Sequence, residues 1–330
     1  MASSDMRADD IDVRLVAITY GADGINLYQL QSLDGASLPS FEPGAHIDVA
    51  ISTTHRRQYS LLWPPGSAAS YTVAVQVADS GRGGSKAMHY DSVVGNTYRI
   101  SPPRNHFPLR PSANKHVLFA GGIGITPIVS MYRWLRKAGV PTELHYWAAT
   151  RARTLFFDEL SDDPNVHVWN EAPIGIAAMR VSDVIHDLPL QTQLYCCGPE
   201  RMLEAFDSLC RERPDGVAHR ERFGIGIGIG IGADAVLPVE DIAGFQVTLA
   251  RSKQVLFVGP NETLLEACLS AGIDVGYSCE EGICGACEVS VLDGEVAHRD
   301  SVLSPSERAT NKKMMICCSR AVGSSLTLDL

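Results

Sequence analysis

Apolar residues fall in different rhythms in different parts of the chain. Across residues 12–110 they form short runs: VRLVAITY (13–20), HIDVAI (46–51), YSLLW (59–63) and YTVAVQVA (71–78). These runs are rich in β-branched and aromatic side chains and bounded by Gly, Pro, Ser or Asp, which predicts strands. Many short strands separated by Gly/Pro turns predict an antiparallel β-barrel or sandwich. From Lys115 the rhythm changes. KHVLFAGG (115–122) is a continuous apolar run ending in glycines, the pattern of a parallel strand buried on both faces. A helix is expected through IVSMYRWLRKA (128–138), with Pro127 in its first turn and Gly139 at its end. TELHYWAAT, VHVW and QLYCCG read as further strands, and FFDELS and PERMLEAFDSLCRER as helices. Strand and helix in alternation predict a parallel α/β sheet covered on both faces.

Residues 224–244 break the pattern. GIGIGIGIGA is low in complexity, and DAVLPVEDIAG has neither period, so the segment reads as a linker. Beyond it, FQVTLARS and QVLFVGP suggest a hairpin. NETLLEACLSAG suggests a short helix with Asn261 as its N-cap and Leu264, Leu265, Cys268 and Leu269 on its apolar face. ACEVSVLDG and SLTLDL read as the last strands. The expected organisation is a β-barrel domain at 1–111, an α/β domain at 112–223, a linker at 224–244 and a small α+β domain at 245–330.

Length agrees with several domains, since 330 residues exceed one ordinary unit of roughly 100–200. No run approaches the ~20 apolar residues of a membrane helix, and Met1–Asp12 lacks a basic-then-apolar leader. A cytoplasmic protein is expected. The net charge of −10 argues against nucleic acid as the main partner. In such a chain, nine cysteines with a tight group among them point to metal or redox chemistry rather than to disulfides.

That group is the most specific signal. Cys279, Cys284 and Cys287 give C-x4-C-x2-C, and Cys317 follows after 29 intervening residues (317 − 287 − 1). This is the spacing of a plant-type [2Fe–2S] site, in which four thiolates surround two irons. Gly282, Gly285 and Ala286 keep the loop free of bulk, so that backbone N–H groups can approach the sulfurs. Cys318 adjoins Cys317, and neighbours on a strand face opposite ways, so one of the pair can point at a cluster. A zinc site is the competing reading, but zinc prefers paired C-x2-C knuckles, and one C-x2-C is present.

Other motifs carry less information singly. In RRQYSL, Arg57 offers a phosphate-binding fork, Tyr59 an aromatic face and Ser60 a hydroxyl; alone, the segment also reads as an edge strand with solvated arginines. GRGGS (81–85) is either a phosphate nest or a hairpin turn. AGGIGITP (120–127) is a strand-turn-helix junction suited to a pyrophosphate, or an ordinary βα turn. CCGP (196–199) sets a small thiol and bare backbone at a strand end, and Cys196, Cys210 and Cys268 read as small packing residues.

Taken in order, RRQYSL, GRGGS, AGGIGITP, CCGP and C-x4-C-x2-C resemble the phthalate dioxygenase reductase family, which includes vanillate O-demethylase reductases. The resemblance runs from about Val13 to the LTLDL terminus. It implies an FMN barrel, an NAD(H) domain and a ferredoxin domain, with electrons passing from NADH through FMN and a [2Fe–2S] cluster to a Rieske-type oxygenase. By matched position, Arg57 and Gln58 would bind FMN, Arg57 at its phosphate. Tyr59 and Ser60 would lie along the isoalloxazine. Ala74, Val75 and Gln76 would line its edge, and Arg82, Gly83, Gly84 and Ser85 would form the phosphate loop. Gly122, Thr126, Cys197 and Gly198 would meet the nicotinamide side, Phe223 would cover the flavin, and Ser60 and Thr126 would assist catalysis. The metal ligands would be Cys279, Cys284, Cys287 and Cys317. Arg151 and Arg153 after a strand leave NADPH as an alternative to NADH. A carnitine-type monooxygenase or P450 acceptor, or a non-catalytic metal-binding carrier, are the alternative functions. The Gly–Ile repeat is not a family motif.

Overall fold

The computed structural model describes residues 10–52, 56–63, 69–78, 83–110, 115–170, 181–223, 244–260, 262–277, 282, 285–300, 302–303 and 305–330. The chain divides into two compact units, Met1–Phe223 and Gly224–Leu330. The Gly–Ile repeat and most of the expected linker lie outside the described residues.

The first unit opens with six antiparallel strands: β1 (Ile11–Ala22), β2 (Ile25–Ser32), β3 (His46–Ala50), β4 (Arg56–Ser60), β5 (Ser70–Gln76) and β6 (Thr97–Ile100). Their order is β4-β3-β6-β1-β2-β5. A bridge from Leu61 to Val73 joins the two end strands, which closes the sheet on itself. Val13, Leu15, Tyr28, Leu30, Ile47, Val49 and Val73 fill the interior. At the start of β4, Arg56 is 2% exposed, and its guanidinium pairs with Asp10 (2.8 Å) and Asp48 (3.7 Å). Asp48 also binds Arg104. Removing one member of such a buried network leaves an uncompensated charge, at a cost of roughly 3–5 kcal/mol.

The second sheet is wholly parallel: β7 (His116–Gly121), β8 (Thr142–Trp147), β9 (Val166–Trp169), β10 (Gln193–Cys197) and β11 (Ala218–Glu221), ordered β11-β10-β7-β8-β9. The helix Ile125–Lys137 covers one face through Ile125, Ile128, Val129 and Met131. The helix Glu200–Cys210 and helical residues 181–186 cover the other through Met202, Leu203, Phe206, Val181 and Ile185. The expected two-faced α/β sheet is therefore present, although the first helix begins two residues before Pro127.

Barrel and parallel sheet share one core. Ala22, Ile25, Leu62 and Ala74 from the barrel pack with Leu118, Ile125, Tyr146 and Leu155 from the α/β part. A Cβ on Gly21 would stand 2.7 Å from Leu155 Cδ1. The Asp23 N–H donates to the Ala152 carbonyl (2.8 Å). The Arg133 guanidinium lies 4.0 Å from the Trp63 ring and 4.7 Å from that of Phe156.

In the second unit, β12 (Phe245–Leu249), β13 (Gln254–Val258), β14 (Glu288–Asp293), β16 (Lys313–Met315) and β18 (Ser325–Leu328) form a mixed sheet ordered β13-β12-β18-β14-β16. β15 (Val296–Ala297) and β17 (Arg320–Ala321) make a separate pair. The helix Leu264–Ser270 buries Leu264, Leu265 and Cys268 against the sheet. Its N-cap is Thr263, not Asn261. The Thr263 hydroxyl accepts from the Glu266 N–H (3.1 Å), and the Glu266 carboxylate accepts from the Thr263 N–H (2.7 Å). This reciprocal capping box satisfies two helix-end donors, and Asn261 lies outside the described residues. No helix among the described residues is long and apolar enough to cross a membrane.

Candidate functional site

The parallel sheet reverses its direction of winding at the pair β7 and β10. From β7 the chain adds β8 and β9 on one side, then returns to place β10 and β11 on the other. Crevices at such a switch point, beyond the carboxyl ends of the strands, are where ligands bind open α/β sheets. AGGIG leaves β7 there, and CGP leaves β10.

The two turns press against each other. A Cβ on Gly124 would lie 2.4 Å from the Cys197 carbonyl oxygen, and one on Gly121 2.5 Å from Pro199 Cδ. A Cβ on Gly198 would meet Met202 Sδ at 2.8 Å. Gly122 differs: its φ is +55° and its Cβ direction is open to 4 Å. Three of these glycines are therefore required by turn-to-turn packing, and Gly122 leaves backbone bare toward the crevice. The Thr126 hydroxyl donates to the Ile123 carbonyl (3.0 Å) and is buried. Cys197 is 0% exposed, and burial raises its thiol pKa well above the usual value, as it does for Cys196. Both are inert, protonated thiols rather than nucleophiles.

On the barrel side, strand alternation puts Arg57 and Tyr59 on one face of β4. Arg57 Nη1 donates to the Arg56 carbonyl (2.8 Å). Gly84 packs on the Arg57 stem, where a Cβ would come within 2.9 Å of Cγ and 3.0 Å of Nε. Of GRGGS, Gly83, Gly84 and Ser85 are described. The segment leads into the helix Gly84–Tyr90 through Gly83 at φ +85°. The Ser85 hydroxyl accepts from the Ala78 N–H (3.1 Å), and His89 Nε2 meets the Val75 carbonyl (2.8 Å). These contacts pin the helix to the strand carrying Ala74, Val75 and Gln76. Arg57, Gly83, Gly84, Ser85 and Val75 thus gather in one place, while Arg82 lies outside the described residues.

Ser60 ends β4, immediately before the closing bridge at Leu61. It is 4% exposed, and its Oγ has no hydrogen-bond partner among the described residues. A buried hydroxyl without a partner costs roughly 1–3 kcal/mol. Tyr59 next to it has its phenol pKa raised by burial, against the opposing charge of Arg57. Phe223 packs on the core shared by barrel and parallel sheet.

Sequence reasoning missed Glu221. It ends β11 in register with Cys197. Its Oε2 is sealed from solvent without a hydrogen-bond partner among the described residues, and burial raises its pKa to about 8. A protonated carboxyl at the end of the edge strand β11 is a donor where an ionised one would be only an acceptor. The visible cue was an acidic residue two places before Phe223 at the end of a terminal strand.

In the second unit, Cys287 and Cys317 are each 3% exposed and lie in one buried cluster. The Ile316 N–H donates to the Cys287 carbonyl (3.3 Å), tying together the segments that carry them. Cys318 is half-buried, and its Sγ lies 2.5 Å from the position of a Cβ on Gly282. Gly282 (φ +72°) and Gly285 (φ +75°) adopt conformations that favour glycine. Cys279 and Cys284 lie outside the described residues. Buried thiols on a glycine-shaped loop suit a thiolate-held iron–sulfur group.

Residues 247–322 match the model of the 2Fe-2S iron-sulfur cluster binding domain. Over 320 residues the chain is 38% identical to the phenoxybenzoate dioxygenase subunit beta of Ectopseudomonas oleovorans, covering 97% of each protein. The crystal structure of phthalate dioxygenase reductase, described as a modular structure for electron transfer from pyridine nucleotides to [2Fe-2S], superposes with a TM-score of 0.77 at 34% identity. That match covers 97% of this chain and 98% of the other. An intact type IV self-sufficient cytochrome P450 monooxygenase matches with a TM-score of 0.77 at 38% identity. All of this chain is covered there, but only 43% of the monooxygenase.

Proposed function

The chain belongs to the phthalate dioxygenase reductase family, and from that premise we propose that it is the reductase component of a Rieske-type aromatic-ring dioxygenase or O-demethylase. In this reading it carries electrons from NADH, by way of FMN, to a [2Fe–2S] cluster and on to the oxygenase. The observation that carries the reading is the end-to-end match to a reductase built for electron transfer from pyridine nucleotides to [2Fe-2S].

The residues present fit the groups this requires. Arg57, with Gly83, Gly84 and Ser85, forms the phosphate end of the FMN site, joined by Gln58 and Arg82. Tyr59 flanks the ring, and Ala74, Val75 and Gln76 line its edge. Ser60, whose hydroxyl has no described partner, offers a hydrogen bond to the ring. Phe223 would cover the flavin. Gly122 exposes backbone to the nucleotide, Thr126 and Gly198 shape the crevice, and Cys197 supports it from beneath. Cys279, Cys284, Cys287 and Cys317 hold the cluster. A bound flavin supplies what no side chain here can, by taking electrons from nicotinamide in pairs and releasing them singly. The chain contributes proximity and oriented hydrogen bonds.

The domain limits 1–111, 112–223, 224–244 and 245–330 belong to this reading, as does a cytoplasmic location, where thiols stay reduced. NADH is the assigned donor. Arg151 is 70% exposed and lies over the Phe157 ring rather than in a pocket.

The purified protein's visible spectrum is the first test. A flavin band with broad iron–sulfur absorption supports the relay, and a colourless protein carrying stoichiometric zinc sinks it. Mass spectrometry of the released flavin separates FMN from FAD. A second reading, in which a cytochrome P450 accepts the electrons, is favoured by the P450 match. Capture of the electron acceptor on the immobilised protein distinguishes the two.

A further inference from the structure

A second constellation lies on the parallel sheet, toward the amino ends of β8 and β9 and away from the turns that follow β7 and β10. Glu143 and His145, two apart on β8, share a sheet face. His167 on β9 stands in register with His145. Glu143 Oε1 is 3.0 Å from His145 Nε2 and 3.4 Å from His167 Nε2. Ligand atoms about 2.0–2.1 Å from a tetrahedral zinc ion lie roughly 3.3 Å from one another. The three donor atoms all fall within 4.8 Å of each other.

The surroundings support a ligand role. Lys115 Nζ holds the other carboxylate oxygen of Glu143 at 3.2 Å, which orients Oε1 toward the histidines. A metal bound here takes the place of the proton between His145 Nε2 and Glu143 Oε1. Its ring is wedged in a stack between Phe119 (5.6 Å) and His167 (4.7 Å). His145 is thus a rigid, buried anchor, with a side chain 5% exposed against 43% for His167. The rings lie 20° apart, and a turn of the exposed His167 ring closes the triangle on one ion.

We propose that Glu143, His145 and His167 form a binding site for one divalent transition-metal ion, zinc foremost, separate from the electron-transfer centres. Two imidazoles and one carboxylate favour zinc and its neighbours over magnesium or calcium, which take oxygen ligands. The site stands independently of the reductase reading.

The test is a zinc titration of the cofactor-loaded full chain against a chromophoric chelator, run on wild type, His167→Gln and Glu143→Gln. Cluster thiols also attract zinc, so the comparison between variants carries the result. Wild type is expected to bind one equivalent that each variant loses or binds at least tenfold more weakly, with flavin and iron–sulfur spectra unchanged. X-ray absorption of the singly loaded wild type is expected to show imidazole scattering. Equal stoichiometry and affinity in wild type and His167→Gln would overturn the proposal, as would displacement of the zinc by equimolar magnesium. His167 and Glu143 both reach solvent, so neither variant depends on repacking the core.

Discussion

In the unit ending at Phe223, the candidate cofactor contacts are dispersed over Arg57 and Ser60 on β4, Ala74–Gln76 on β5, the Gly84–Tyr90 helix and turns from a second sheet. In the following unit they are concentrated in thiols on one loop and one strand end. A dispersed site loses affinity by degrees, because each contact is worth one or two hydrogen bonds. A thiolate-held cluster is nearly all-or-none, since losing one ligand opens the metal to solvent. The first unit can therefore be tuned by single substitutions and the second mainly broken by them.

Replacing Cys317 probes the contrast most severely. Cys317→Ser is expected to lose most of its iron and acid-labile sulfide, while Cys318→Ser keeps both and the flavin remains bound in each. Iron and sulfide analysis checks this, and retention by Cys317→Ser with loss by Cys318→Ser would reverse the ligand assignment. Gly124→Ala comes next. Its Cβ would sit 2.4 Å from the Cys197 carbonyl, a backbone atom that cannot move aside cheaply. Overpacking of this kind costs roughly 1–3 kcal/mol, to be read from denaturant unfolding, and nucleotide affinity is expected to fall with it. Arg57→Ala removes a charge-assisted phosphate contact worth roughly 1.5–3 kcal/mol, and is expected to weaken FMN binding about 10- to 100-fold by flavin fluorescence. Ser60→Ala is expected to leave FMN bound but slow its reduction by NADH about tenfold, as one lost hydrogen bond of ~1.4 kcal/mol would. An unchanged rate would remove Ser60 from the site.

A pH-dependent test concerns Glu221. Its folded pKa of about 8 lies above the ordinary carboxyl value of 4.5. The folded state therefore holds more protons than the unfolded state between those values, and stability is lost as pH rises through that window. Glu221→Gln removes the titration. Its thermal midpoint is expected to gain on wild type progressively from about pH 5 to about pH 8, then to stay level. A constant difference across that range would mean that Glu221 ionises normally.

The order of modules was legible in the sequence because each carries its own period and a short motif. The reasons behind the motif residues were less so. The glycines of AGGIG and CCGP suggest close approach of a pyrophosphate, yet Gly121, Gly124 and Gly198 are held by contact between two strand-end turns, which only the sheet order brings together. β2 is not among the expected strands, although its residues pair with β1 without a break; the register shifts at Leu15/Ala17 and Tyr20/Ala22 lie in β1. The helix after GRGGS was hidden by its glycines. Ser60 could be named from its motif, but its unpartnered hydroxyl is a property of packing, as is the raised pKa of Glu221. The Glu143–His145–His167 group spans two strands and leaves no local signature, because its spacing is set by parallel register.

The central claim is that one chain converts a pair of electrons from nicotinamide into single electrons at an iron–sulfur cluster. Anaerobic stopped-flow mixing of the cofactor-loaded protein with NADH, followed at flavin and iron–sulfur wavelengths, addresses it directly. The account predicts flavin bleaching first and cluster bleaching second, with the second phase absent in Cys317→Ser and the first intact. Cluster bleaching without prior flavin bleaching, or no bleaching at either wavelength, would contradict it.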